Sequence, residues 1–265
     1  MLFRSGSALS LGLAGGGANS LNTIQGGSTS AGGSQALLAA DSITISGGLS
    51  LSSTSSDTIN AFVLAIAGAG QGSSTGRGGA VSIGAGVARN RLGVADDGPE
   101  ATGAGLDIRA GIYGRDGNAS VGSLSARTLS ASASQKVSVE AKVVATSAAI
   151  AWNSAGSVGV AASGGGADAR NTLRQTVVAE ALGRGDGASL ALNQAGLTLK
   201  AADDANLRAT SAGAALAFSF APKGALSGAP AVGVSLADNT LKRTLRSERS
   251  EEHTSELQSQ FRISY

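Results

Sequence analysis

Residues 81–92 read VSIGAGVARNRL, and the pattern is that of a strand. Val81, Ile83, Ala85 and Val87 fall on one side of an extended chain, and Ser82, Gly84, Gly86 and Ala88 on the other. A period of two is the signature of a β-strand. The asparagine near its end, Asn90, sits in the frame Ala88-Arg89-Asn90-Arg91-Leu92. Similar frames surround Asn22, Asn171 and Asn239, each after an alternating run. The spacings are 90−22 = 68, 171−90 = 81 and 239−171 = 68. A long period of this kind marks a repeat architecture, in which each unit buries its surface against the next.

Other segments keep the same period. Residues 59–67, 143–152 and 207–218 form a second alternating run, each followed by a Gly- or Pro-containing stretch at 68–79, 154–157 and 222–230 that reads as a turn. Gly48-Leu49-Ser50-Leu51 recurs as Thr128-Leu129-Ser130-Ala131 and as Gly196-Leu197-Thr198-Leu199, at intervals of 80 and 68. Residues 108–117 parallel residues 177–186. A polar insertion around residues 93–104 explains the longer interval. Ala is the best helix former, so 141–151 and 176–182 could be read as helix. Gly inside regular structure costs about 0.5–1 kcal/mol relative to Ala, so strand faces of Gly, Ala and Ser make sense only against a very close second sheet. The expectation is therefore an all-β fold, an elongated parallel β-solenoid of imperfect repeats of roughly 68 residues, with short helical turns at most. An antiparallel β-sandwich of hairpins is the alternative. If one unit lies on the next, equivalent asparagines stand about 4.8 Å apart and can form an amide ladder; if each unit is several short rungs, they lie farther apart. Asn tolerates left-handed backbone, which predicts these four residues at turns or strand ends.

Composition narrows the function classes. The chain has 265 residues with 40 Gly, 3 Pro, no Cys, 3% aromatic and 14% charged residues, and a net charge of +2. Disulfides and thiolate metal sites are excluded. The charge balance gives no strong pull toward nucleic acid or an anionic membrane. The longest apolar stretch, 61–70, is too short for a transmembrane helix, and no membrane insertion is expected in this segment. Residues 1–13 faintly resemble a secretion signal, but their leucines alternate with small residues and read as a strand. Residues 249–259, RSEEHTSELQS, are the conceptual translation of a common DNA-sequencing adapter. We read 249–265 as an assembly artefact without fold, leave His253 out of the chemistry, and take 1–248 as the β-repeat array. Without that tail the net charge is +3, from 18 Lys and Arg against 15 Asp and Glu.

The sequence "VSIGAGVARNRL" followed by Ile108-Arg109-Ala110-Gly111-Ile112-Tyr113 resembles the β-strand repeats of large bacterial surface and secreted proteins. Filamentous-haemagglutinin-like and leukotoxin-type filamentous adhesins are among them. The resemblance covers nearly all of residues 5–245. It implies an extended stalk, exported by an autotransporter or two-partner route to the extracellular face of a bacterial outer membrane. It also implies that this chain is an internal fragment, joined to the rest of its parent chain and meeting a host or neighbouring-cell ligand.

Candidate chemistry is sparse. Arg184, Gly185 and Asp186 form an RGD that could bind an integrin, although the equivalent unit reads Gly114-Arg115-Asp116-Gly117 and a tight turn explains both. Asp96-Asp97 and Asp203-Asp204 could hold Ca²⁺ but have no EF-hand spacing, and read as solvated turns. Asp107, Glu140 and Glu180 do not suggest the paired carboxylates of a glycosidase, the chemistry of the competing class, a carbohydrate-active β-helix enzyme. Trp152 and Phe218 occupy similar places in their units and read as caps on a packed edge. The expected function is structural and adhesive, with no catalytic residue, cofactor or metal.

Overall fold

The computed structural model describes residues 9–24, 32–39, 42–74, 76–95, 103–113, 123–154, 158–181, 189–193, 196–222 and 226–249. Among them the chain is all-β. The elements are β1 (Leu9–Ile24), β2 (Gln35–Ala39), β3 (Ser42–Thr44), β4 (Gly48–Ser73), β5 (Arg77–Leu92), β6 (Leu106–Tyr113), β7 (Ser123–Ala126), β8 (Thr128–Asn153), β9 (Val158–Ala181), β10 (Ser189–Leu192), β11 (Leu197–Phe220), β12 (Leu226–Gly228) and β13 (Ala231–Arg249). Residues 141–151 lie in β8 and 176–181 in β9, so sheet packing overrides the helix propensity of alanine.

Every strand pair among the described residues is parallel and joins one unit to the next. The antiparallel sandwich of hairpins is thereby set aside. One sheet runs β1-β5-β9-β6-β2, with β12 and β13 also on β9; a second runs β11-β8-β4; a short third runs β10-β7-β3. Register follows the sequence period. Asn22 is level with Asn90, Asn90 with Asn171, and Asn171 with Asn239. Leu49, Leu129 and Leu197 are likewise level. Fourteen residue steps separate Leu92 from Leu106 where two separate Leu173 from Gln175, so the insertion accounts for most of the longer interval. Its base is closed by the Gly105 N–H donating to the Gly93 carbonyl at 3.0 Å.

The chain runs up β4 to Ser73 and back down β5 from Arg77 in the facing sheet; β8 with β9, and β11 with β13, repeat this arch. Residues 68–72, which read as part of a Gly-rich turn, belong to β4. Their exposed positions carry no side chain, so composition mimics a turn where the backbone remains paired.

Two cores of different character lie between the sheets. The half away from the arch turns is filled by Leu92, Leu106, Ile108, Val137, Val139 and Leu173. The half beside the turns is filled by alanines such as Ala61, Ala65, Ala88, Ala141 and Ala169, with Val63 and Val143. Gly16, Gly84, Gly165 and Gly233 stand level in four successive strands. A Cβ at Gly84 would lie 2.5 Å from the Thr146 carbonyl oxygen, and one at Gly165 would lie 2.3 Å from that of Ala214. No side chain fits there, and the sheets approach far more closely than the usual spacing of about 10 Å.

Candidate functional site

The four asparagines point inward from the strands. Asn90 and Asn171 are fully buried. All four lie in paired, extended backbone: Asn22 and Asn90 two residues before the ends of β1 and β5, Asn171 and Asn239 in the interior of β9 and β13, so strand ends hold for two of them and turns for none. The side-chain amide explains the choice: it supplies an acceptor and two donors from one short branch. Asn22 Nδ2 donates to Asn90 Oδ1 at 2.9 Å, Asn90 Nδ2 to Asn171 Oδ1 at 2.9 Å, and Asn171 Nδ2 to Asn239 Oδ1 at 2.8 Å. The other donor of each amide crosses to the facing sheet. Asn22 reaches the Asn60 carbonyl at 3.2 Å, Asn90 that of Glu140 at 2.9 Å, and Asn171 that of Arg208 at 2.8 Å. The ladder therefore ties unit to unit and sheet to sheet at one height.

It also marks where the chain reverses its apolar side. Away from the turns, the large aliphatic residues face in and Ser, Thr, Lys and Glu face out. Toward the turns, Gly, Ala and Ser face in, and Phe62, Leu64, Ile66, Ile83, Trp152 and Phe218 face out. Residues 61–76, 78–88, 143–167 and 209–222 contain no Asp, Glu, Lys or Arg. Charge begins at about the height of the ladder on both outer faces. Glu140 and Lys142 stand on β8, and Arg89 bonds Asp168 at 3.2 Å, with Arg170 on the same carboxylate at 2.8 Å. Trp152 is level with Phe220, not Phe218, and their rings meet at 5.4 Å and 38°. Both lie on the outer face, exposed to about half, and do not cap a packed edge.

The remaining polar candidates are dispersed. Asp203 and Asp204 are in β11 and not in a turn, and they point to opposite sides of their strand. They cannot chelate one ion together. Asp203 lies in the wider core near Gln135 and Gln175, with Arg243 Nη1 at 3.5 Å from its Oδ2. The amides of both glutamines and the carboxylate of Asp203 lack a hydrogen bond of full geometry. Burial pushes the Asp203 carboxyl above its usual range, and the adjacent Gln175 and Arg243 oppose this without cancelling it. Asp107 pairs with Arg109 in β6, and Glu180 with Arg246 across β9 and β13; Glu140 stands on the other sheet. Among the described residues no three His, Cys, Asp or Glu side chains gather as a metal ion would require. Arg184, Gly185 and Asp186, Asp96 and Asp97, and residues 250–265 lie outside the described residues, while Arg249 ends β13.

The outward apolar faces and the buried Asp203 cluster were not anticipated from the sequence. The charge-free runs flanking each turn are the signal that carries the first; register pairing of Gln135 with Asp203 is needed to find the second. Comparison with protein-family models, with curated proteins and with solved structures gives no match to this chain.

Proposed function

We propose that the stacked units are part of an elongated parallel β-solenoid, and that the chain is a non-enzymatic segment of an exported bacterial surface protein, serving as stalk or extended contact surface. The observation that carries this reading is the level alignment of Asn22, Asn90, Asn171 and Asn239 across four successive strands. Units that add along one axis lengthen a rod without changing its cross-section, which suits a spacer that holds a binding surface away from a cell. The absence of cysteine fits export without disulfide formation, and the resemblance to filamentous adhesins points the same way.

The test is dimensional and functional. Inserting a second copy of residues 90–170 at the unit boundary is expected to lengthen the particle by about one strand spacing, roughly 4.8 Å, in small-angle scattering, with an unchanged cross-sectional radius. A particle that thickens instead of lengthening rejects the stacking axis. Displayed on a bacterial surface, the chain is expected to raise adhesion to host or neighbouring cells, and equal adhesion with and without it removes the adhesive role. Asp186→Glu isolates the RGD, since unchanged adhesion ends that assignment.

A further inference from the structure

Above the asparagine ladder, the outer face of β4, β8 and β11 carries a large apolar surface that no other described element covers. Its relief is diagonal. Phe62 is level with Thr210, Leu64 with Ala212 and Ile66 with Ala214. Nearer the turns the order inverts: Gly68 is level with Leu216, Gly70 with Phe218 and Gly72 with Phe220. Bulk therefore sits low on β4 and high on β11, while small residues occupy the other two corners. At Gly68, Gly70 and Gly72 an added Cβ would meet nothing within 4 Å, so that corner is an open hollow. Ile150 and Trp152 on β8 lie between.

We propose that this face pairs with the same face of a second copy, about a two-fold axis running along β8 in the plane of contact. Such an axis keeps height and reverses strand order, so β4 of each copy opposes β11 of the other. Phe62, Leu64 and Ile66 then meet Thr210, Ala212 and Ala214. Leu216, Phe218 and Phe220 enter the hollow over the three glycines. The relief is complementary to itself under this one operation, which gives a closed dimer. The eight large side chains of the face are 47–66% exposed. At roughly 100 Å² apiece they offer on the order of 800 Å², the share each partner brings to a stable interface of standard size. Glu140 and Lys142 stand on the axis two residues apart, with Lys142 between Phe62 and Thr210; each faces its own equivalent, and the flexible ammonium has to lean toward the second copy's carboxylate, so this border adds little to the pairing.

The relief itself favours a second copy over a bilayer, because large and small residues alternate between the two flanking strands so as to fit the same face turned over, a match that a fluid surface would not require. The opposite outer face is the poorer candidate, because Asp168 and Arg89 intrude at the height of Val87.

Sedimentation equilibrium of the whole chain is expected to give a dimer. Gly70→Lys puts a charged side chain into the hollow from a position whose Cβ meets nothing within 4 Å, and is expected to give a monomer with unchanged circular dichroism and a thermal midpoint equal to that of the parent chain diluted to its monomeric range. The chain has no cysteine, so Ile150→Cys, on the axis, should couple to its own equivalent through a short bis-maleimide. The yield should be at least about tenfold that of Ile83→Cys on the opposite face, given the millimolar effective concentration of groups held together. A monomeric parent chain, a Gly70→Lys dimer as tight as the parent, or equal coupling at the two cysteines would overturn the proposal. So would recovery of the parent chain as a monomer on phosphatidylcholine vesicles.

Discussion

Asn171 makes three hydrogen bonds from a fully buried side chain: it accepts from Asn90, and donates to Asn239 and to the Arg208 carbonyl. Asn171→Ala deletes all three and leaves a void, so it should cost about 3 kcal/mol, at roughly 1 kcal/mol per bond. Asn22→Ala, at the partly exposed end of the ladder, should cost about 1 kcal/mol or less. Urea midpoints of the two variants check the difference, and equal losses would contradict the ladder. Asp203 gives a pH signature at the same scale. Its folded pKa lies above the 3.8 of the free carboxyl because of burial. The folded state therefore binds the proton more tightly, and stability falls as pH rises from about that value through the folded pKa. Asp203→Asn should raise the urea midpoint at pH 7 and change it little at pH 3. A variant less stable than the parent at pH 7 would show that the Arg243 ion pair outweighs burial.

At the scale of the strand, the inward glycines fix how close the sheets lie. Gly165→Ala places a methyl group against the Ala214 carbonyl and should cost at least about 2 kcal/mol, the range of overpacked cores. Its neighbours Gly164 and Gly166 point outward into open space. Gly164→Ala and Gly166→Ala should be neutral or stabilising by about 0.5 kcal/mol, because alanine narrows the unfolded ensemble. Thermal unfolding of the three single variants tests the alternation residue by residue. This alternation was legible in the sequence, as were the period, the level asparagines and the requirement for a close second sheet. The direction of the apolar face was not. Val81 and Ile83 share a side in any extended chain, but periodicity alone does not say whether that side is core or surface. The answer depends on the facing strand: Ala65, Ser147 and the glycines leave room only for small residues. Asn propensity points to turns or strand ends, which fits Asn22 and Asn90 but, for a related reason, not Asn171 and Asn239 in strand interiors. Local propensity records what Asn tolerates, while its partners here lie 68 and 81 residues away.

For the molecule as a whole, the stack makes protection depend on position. β8 and β9 have neighbours on both sides, while β1, β4, β11 and β13 each have one. Amide exchange should therefore be slowest across β8 and β9 and fastest along the outer strands, since edge segments open locally before the centre does. Uniform protection in a mass-spectrometric exchange experiment would count against this order.

The ladder has a direction. Asn22, Asn90 and Asn171 each give a hydrogen to the next member of the series, and the direction never reverses. A unit gained or lost whole, as happens when a gene recombines unequally between similar segments, reconnects the broken ends with donor still facing acceptor. Length changes that fall between strands, such as the insertion after Leu92, leave the register of the flanking strands intact. A single codon added inside a strand is different, because it turns every later residue of that strand to the wrong side. Inheritance should therefore vary this protein in steps of one full period and hold the strand interiors to a fixed count.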